Sequence, residues 1–290
     1  MSFVKRAASI KNSANINIYL CVFLSASLLL SATYPASAKS ISKNKAKKSS
    51  GITAQSVYAI DYTNNKVIYS KNSKSRFQPA STVKLLTALV VLDKLALDSQ
   101  VRIGRNAINV EPTKAGLTLG AKYSVKELLE VLLATSANDA GVALACAVSG
   151  SEAKFALLMN KKARALGCKN SNFSNSTGLP NKKQYTTAFD LSIITRAAFS
   201  QPFIASTMKK KQVKIEGTDG KTIVRNNHNK MLWKFSETCV LGKTGYTRTA
   251  GHCYAGVAYF DKRNISVVIM KSRKPWADLT AILGLPSKKG

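Results

Sequence analysis

Residues Pro79–Asp93 read "PASTVKLLTALVVLD". Leu85, Leu86, Leu89, Val90 and Leu92 make the stretch apolar on nearly every face, the pattern of a helix buried all round. Its first turn nevertheless carries a hydroxyl, Ser81, and an amine, Lys84. Side chains three residues apart share a helix face, so the two stand together at the mouth of an apolar post. A serine at a helix start is exposed, and the N–H groups around it lack helical partners. Its hydroxyl is a poor nucleophile until a base removes the proton. The chain has two histidines, His228 and His252, and neither stands in a triad-like motif. Lys84 serves as the base if its amine is neutral, and burial or a second cation lowers an amine pKa.

The chain around this stretch begins with an export pattern. Lys5, Arg6 and Lys11 precede the uncharged run "INIYLCVFLSASLLLSA" (Ile16–Ala32), and Ala36–Ser37–Ala38 offers a small-residue cleavage site. Residues 1–38 therefore read as a secretory signal; as an uncleaved anchor the run is short for a span. Residues 39–50, "KSISKNKAKKSS", read as a disordered basic leader. Residues 51–290 are long enough for one substantial core with a subdomain and contain no tandem repeat. The expected location is the periplasm or the outer face of the cell envelope, with loose membrane association through the basic surface as one option. Cleavage removes three cations and no acid from a chain of formal charge +30. Such a surface adheres to polyanions; for an exported protein these are envelope polymers or anionic lipid. The alternative is that the charge serves solubility alone. No zinc-finger or RNA-binding signature points to nucleic acid, and no Cys–His spacing points to a metal or other cofactor.

Period and punctuation predict the elements. "SVYAIDYT" and "KVIYS" read as strands around an Asn64–Asn65 turn. Ser124 and Glu127 form a capping box before a helix that breaks at Thr135–Asn138 and resumes. Another helix stops at Gly167, a polar loop spans 168–186, and Thr187 with Asp190 caps a helix to Phe199. Beyond Pro202 come a hairpin around Asp219–Gly220, three strand-like runs ("CVLGKTGYT", "GHCYAGVAYF", "ISVVIMK") and a closing helix, "PWADLTAILG". The expected fold is α+β: a central antiparallel sheet of about five strands built from both chain ends, flanked by helices, with a helical subdomain.

Two further polar groups sit oddly. Ser136 and Asn138 lie between apolar helices, and Lys243, Thr244 and Gly245 lie on a strand. With Ser81 and Lys84 they read S-x-x-K, S-x-N, K-T-G, in that order. Each fragment alone is weak, but the ordered set behind an export signal is specific. Lys243 is placed to lower the Lys84 pKa or to attract a substrate carboxylate, with Thr244 hydrogen-bonding the same group. Gly245 lets a substrate backbone lie close along the strand edge.

The set resembles the serine D-alanyl-D-alanine carboxypeptidases, the low-molecular-mass penicillin-binding proteins, over about residues 50–285. "LLATSANDAGVALA", "LGCKNSNFSNSTGLP", "RNNHNKML" and "GKTGYTRTAGHCYAGVA" are similar to family segments. The resemblance implies the penicillin-binding protein/β-lactamase-like transpeptidase fold. It implies Ser81 as the acylated nucleophile, Lys84 as base and Ser136 as a proton relay. Asn138 would hold the substrate amide, Lys243 and Thr244 the terminal carboxylate, and the N–H groups of Ser81 and Tyr246 the oxyanion. Tyr246 stands where some relatives have histidine. The implied substrates are peptidoglycan stem peptides, the implied inhibitors β-lactams, no cofactor is implied, and the chain is expected to be a monomer. Many relatives add a β-rich domain and an anchor helix; with Gly290 soon after the closing helix, a single catalytic domain without them is expected here.

Three alternatives accompany this reading. A D,D-endopeptidase would use the same parts on cross-links. A class A β-lactamase would need a deacylating glutamate, yet residues 168–186 hold no acid, and Glu152 lies too near the second motif. A non-catalytic envelope-binding module would show a lost motif residue, and none is lost. Cys239 and Cys253 flank K-T-G with residue 246 at their midpoint, so a simple hairpin permits a disulfide, with two apolar strand residues as the other option. Cys146 and Cys168 read as thiols, and Trp233 and Trp276 as packing residues.

Overall fold

The computed structural model describes residues 51–234, 239–260 and 262–285. The signal and leader readings fall on residues 1–50, outside the described residues. The chain runs β1 (Ser56–Asp61), β2 (Lys66–Lys71), a 3-10 turn (Ala80–Val83) leading into α1 (Lys84–Leu92), β3 (Gln100–Arg102) and α2 (Arg105–Ile108). Next come β4 (Lys122–Ser124), α3 (Val125–Thr135), α4 (Asn138–Ser149), α5 (Glu152–Ala165), α6 (Ala188–Phe199) and α7 (Pro202–Lys209). The chain ends with β5 (Gln212–Glu216), β6 (Thr222–Asn226), α8 (Met231–Lys234), β7 (Cys239–Thr247), β8 (Gly251–Phe260), β9 (Arg263–Ser272) and α9 (Pro275–Leu283).

The central sheet has five antiparallel strands in the order β2-β1-β9-β8-β7, so both chain ends build it, as expected. Side chains alternate between two cores, because successive strand residues face opposite ways. Val57, Ala59, Ile265, Val267 and Ile269 pack with Leu279, Ile282 and Leu283 of α9. Leu241, Ala255, Val257, Val268 and Met270 belong instead to the larger core that holds α1, α3, α4 and α6. The edge strand β2 is largely exposed and carries Lys66 and Lys71, charges that discourage further strand pairing.

α1 is the predicted post. Eight of its nine residues are buried, and it packs on α3, α4, α5 and α6. The caps are those read from the sequence. Ser124 and Glu127 form the box at α3, and Thr187 accepts from the Asp190 N–H at α6. The predicted break between α3 and α4 is sharp because Ser136 turns to φ 66, the left-handed region.

The proposed Cys239–Cys253 disulfide is contradicted. Strand register sets Cys239 opposite Tyr259 and Cys253 opposite Gly245, with the turn between Thr247 and Gly251. The hairpin centre therefore lies three residues beyond the assumed one (249 against 246), and the two positions stand about 20 Å apart along the ladder. A disulfide spans far less, and Cys253 is a buried free thiol. Cys146 and Cys168 are free as read. Trp276 packs edge-on to Tyr254, whereas Trp233 is half exposed and not a core residue.

The two chain ends are also joined by a carboxylate. Asp278 of α9 is buried and accepts from the N–H groups of Thr53 and Ala54 and the hydroxyls of Thr53 and Ser272. Asp278→Ala leaves those donors unpaired and is expected to cost about 3 kcal/mol, read as a lowered urea midpoint with an unchanged m-value.

Candidate active site

Ser81 sits in the 3-10 turn that starts α1. The turn is tight: Ala80 adopts φ 48, and the Thr82 hydroxyl donates to the Pro79 carbonyl at 2.7 Å. Two glycines make room for it. A Cβ on Gly178 would lie 1.9 Å from the Ala80 carbonyl oxygen, and one on Gly245 would lie 2.8 Å from the Ser81 nitrogen. The space at Gly245 is thus filled by the protein's own serine turn, not reserved for a substrate backbone. β7 is nonetheless the outermost strand, so one of its backbone edges has no strand partner.

Lys84 lies one turn deeper, with no exposed surface. Its Nζ reaches Ser81 Oγ at 3.1 Å, Asn138 Oδ1 at 2.7 Å and the Thr177 carbonyl. Burial holds its pKa well below the ordinary lysine value, and the nearby Lys243 adds to the effect, while Glu152 and Asp139 oppose it. A neutral amine has two N–H donors and one lone pair. The Asn138 Oδ1 and the Thr177 carbonyl accept only, so they take the two donors. The lone pair is left for Ser81, whose hydroxyl can donate.

The other predicted residues divide into two layers. Ser81, Ser136, Thr244, Gly245 and Tyr246 line one open cleft of about 470 Å³. Lys84, Asn138 and Lys243 are buried and absent from its lining. Asn138 is fully engaged: its Nδ2 donates to the Glu111 and Pro112 carbonyls, each at 2.9 Å, while Oδ1 accepts from Lys84. Its neighbour Asp139 accepts from the N–H groups of Ala115 and Gly116. The start of α4 therefore clamps the 111–117 loop, which sends Thr113 to the cleft. Burial lowers the Lys243 pKa to about 7, and its Nζ donates to the Thr244 carbonyl.

Sequence reasoning missed several residues. His228 and His252, set aside for want of a motif, both line the cleft, as does Trp276. His252 tilts against the Tyr246 ring at 4.6 Å. Burial first, then Lys243 and Lys84, pushes His228 down to about 4. Glu152 accepts from the Ser176 N–H at 2.8 Å and from the Ser176 hydroxyl, fixing the loop whose next carbonyl, Thr177, holds Lys84. Burial raises the Glu152 pKa, against the hydrogen bonds from Ser176. The polar loop at 168–186 and its family-like segment were legible, but not that its Thr177 carbonyl would reach Lys84.

Over residues 42–274 the sequence matches the family model described as D-alanyl-D-alanine carboxypeptidase. The chain belongs to the D-alanyl-D-alanine carboxypeptidase family. It is 33% identical over 228 residues to the D-alanyl-D-alanine carboxypeptidase DacF of Bacillus subtilis, which covers 77% of this chain and 58% of DacF. The matched part thus spans little more than half of that relative. It is 30% identical over 253 residues to the D-alanyl-D-alanine endopeptidase of Escherichia coli, covering 84% of this chain and 80% of that protein. The structure of the Streptomyces K15 DD-transpeptidase superposes with a TM-score of 0.74 at 27% identity, covering 81% of this chain and 97% of that one. The predicted family and its fold class are borne out by these likenesses.

Two outcomes follow from this family site. Gly245→Ala forces a Cβ against the Ser81 and Thr82 backbone and is expected to cost about 1–3 kcal/mol of stability, read as a lowered urea midpoint. Burial holds the His228 imidazole down at about 4, against an ordinary histidine value of 6.5. The unfolded state then binds the extra proton between these values, so stability is full above pH 6.5 and declines as pH falls through 4. A Tm series over that window is expected to be flatter for His228→Gln.

Proposed function

We propose that the chain is an exported serine D-alanyl-D-alanine carboxypeptidase that removes the terminal D-alanine from peptidoglycan stem peptides. The observation that carries this is the buried Lys84 amine, 3.1 Å from the Ser81 hydroxyl, with acceptor-only partners at its other positions. Family membership supports the substrate class. The signal-like N-terminus supports export, with the periplasm or the outer envelope face as the location.

In this reading Lys84 takes the Ser81 proton as Oγ attacks the carbonyl carbon of the last peptide bond. The oxyanion forms against the backbone N–H groups of Ser81 and Tyr246, donors worth a few kcal/mol in the transition state. The C–N bond breaks, the leaving amine takes a proton by way of Ser136, and free D-alanine departs. Water, deprotonated by the same machinery, then attacks the ester and frees Ser81 with the trimmed peptide. The Thr244 hydroxyl meets the terminal carboxylate, and Lys243 adds positive charge from beneath the cleft floor. Asn138 acts chiefly on Lys84 and the 111–117 loop, since its polar atoms are already engaged.

Penicillin offers the same target in a strained lactam and acylates Ser81. No aspartate or glutamate lines the cleft among the described residues, and the Glu152 oxygens face Ser176. The adduct therefore lasts, which argues against the β-lactamase reading. The endopeptidase reading has one favouring observation, the 30% identity to a D-alanyl-D-alanine endopeptidase.

Labelled penicillin is expected to form a lasting adduct with the wild type and none with Ser81→Ala, while the wild type releases D-alanine from a pentapeptide. The acylation rate rises with pH as Lys84 loses its proton, at a pH well below the ordinary lysine range. A lasting adduct without D-alanine release, but with cleavage of cross-linked dimers, selects the endopeptidase. Rapid penicillin turnover selects a β-lactamase, and a folded protein that forms no adduct overturns the mechanism.

A further inference from the structure

A second concavity, of about 560 Å³, lies where the end of β2, the β7–β8 turn and the end of β9 meet. Lys71, Arg248, Lys271 and Arg273 line it, and among the described residues no acidic side chain does. Four other cavities gather fewer lysines and arginines: Arg102 and Arg105 in one, Lys230 in the catalytic cleft, Arg196 in a third, and Lys74 with Lys169 beside Asp190 in a fourth. Abundant surface charge alone does not predict four cations facing one groove.

One cation of the groove is held by the backbone, and the strand geometry aims another. The Lys71 ammonium is pinned by the Ala54 carbonyl at 2.7 Å and the Ile52 carbonyl at 3.3 Å, leaving one proton to donate. Opposite Cys253 the β8–β9 register slips, and Lys271 in the bulge takes φ 53; bulges re-aim side chains in this way. Arg248, Lys271 and Arg273 are exposed, and the ion pairs found among the described residues, Lys162–Asp93 and Lys210–Glu130, lie elsewhere. The Asp278 carboxylate behind the wall is buried and accepts hydrogen bonds from the lining residues Thr53, Ala54 and Ser272. Four like charges held together repel one another unless an anion joins them.

We propose that this groove binds the phosphodiester backbone of a linear anionic polymer. A phosphodiester chain carries its oxyanions in the backbone, so it can lie along a groove and meet cations on both walls, and the two arginine forks match adjacent phosphate oxygens. A flat bilayer reaches a concave site only with a protruding headgroup. A single-stranded nucleic acid held through its bases would call for exposed aromatic rings on which they stack, and the groove offers only the partly buried Phe77. One hairpin turn separates the groove from the catalytic cleft: Tyr246 and His252 face the cleft, Arg248 and Gly251 the groove. A polymer held there tethers the protein without covering Ser81.

The test measures binding of residues 39–290 to poly(glycerol phosphate), polyglutamate, a single-stranded oligonucleotide of equal charge and vesicles containing phosphatidylglycerol, across a salt series. The variants are Arg248→Gln/Lys271→Gln/Arg273→Gln and a control with equal charge loss, Lys126→Gln/Lys161→Gln/Lys182→Gln. We expect the wild type and control to bind poly(glycerol phosphate) best. The groove variant loses at least about tenfold, and its log-affinity against log-salt slope is shallower by up to about three. Equal loss in both variants overturns the site, and preference for polyglutamate, the oligonucleotide or vesicles overturns the ligand. Because binding is read without D-alanine release, the proposal stands or falls apart from the peptidase reading.

Discussion

Everything in the catalytic region leans on one buried amine. Lys84 takes partners from the serine turn, from the start of α4 and from the loop before Gly178. An ammonium ion is costly in such a place, and the fold answers by favouring its neutral form and spending both remaining N–H groups on acceptors that cannot return a proton. The surroundings of the Ser81 hydroxyl thus depend on three separate segments meeting at a single nitrogen.

The cleft surface and the machinery beneath it are distinct layers. The surface carries hydroxyls, aromatics and backbone edges suited to meeting a peptide. The layer beneath carries two lysines, an asparagine and, further back, Glu152 and Asp139, whose charges partly oppose the burial that lowers the amine's pKa. Asn138 and Asp139 are adjacent on α4 yet serve different ends, one orienting Lys84 and the other tying down the 115–117 backbone.

Much of this was legible in the sequence because it rests on side-chain chemistry at short spacing. Ser81 and Lys84 share a face by helical period, the α3 cap is a local motif, and the five-stranded sheet follows from strand runs at both ends. What stayed hidden depends on register and backbone. Thr177 contributes a carbonyl, which every residue has. His228 and His252 reach the cleft through the courses of the segments before β7 and at the start of β8. The cysteine pairing failed because the hairpin turns at residues 248–250, not at K-T-G. Gly245 was read correctly as a close approach, but the approaching backbone proved to be the chain's own.

The order of strands carries a consequence for the life of the chain. β1 enters the sheet between β2 and β9, and Thr53 is bonded to Asp278 across 225 residues. Loop closure on that scale is slow and comes late. During synthesis the serine turn emerges long before β7, whose Gly245 packs against it, and before β9, which seats β1. A chain made only as far as α8 therefore holds Ser81 and its turn but not the strands that pack on them, so the order of strands postpones assembly of the cleft until β7, β8 and β9 are in place.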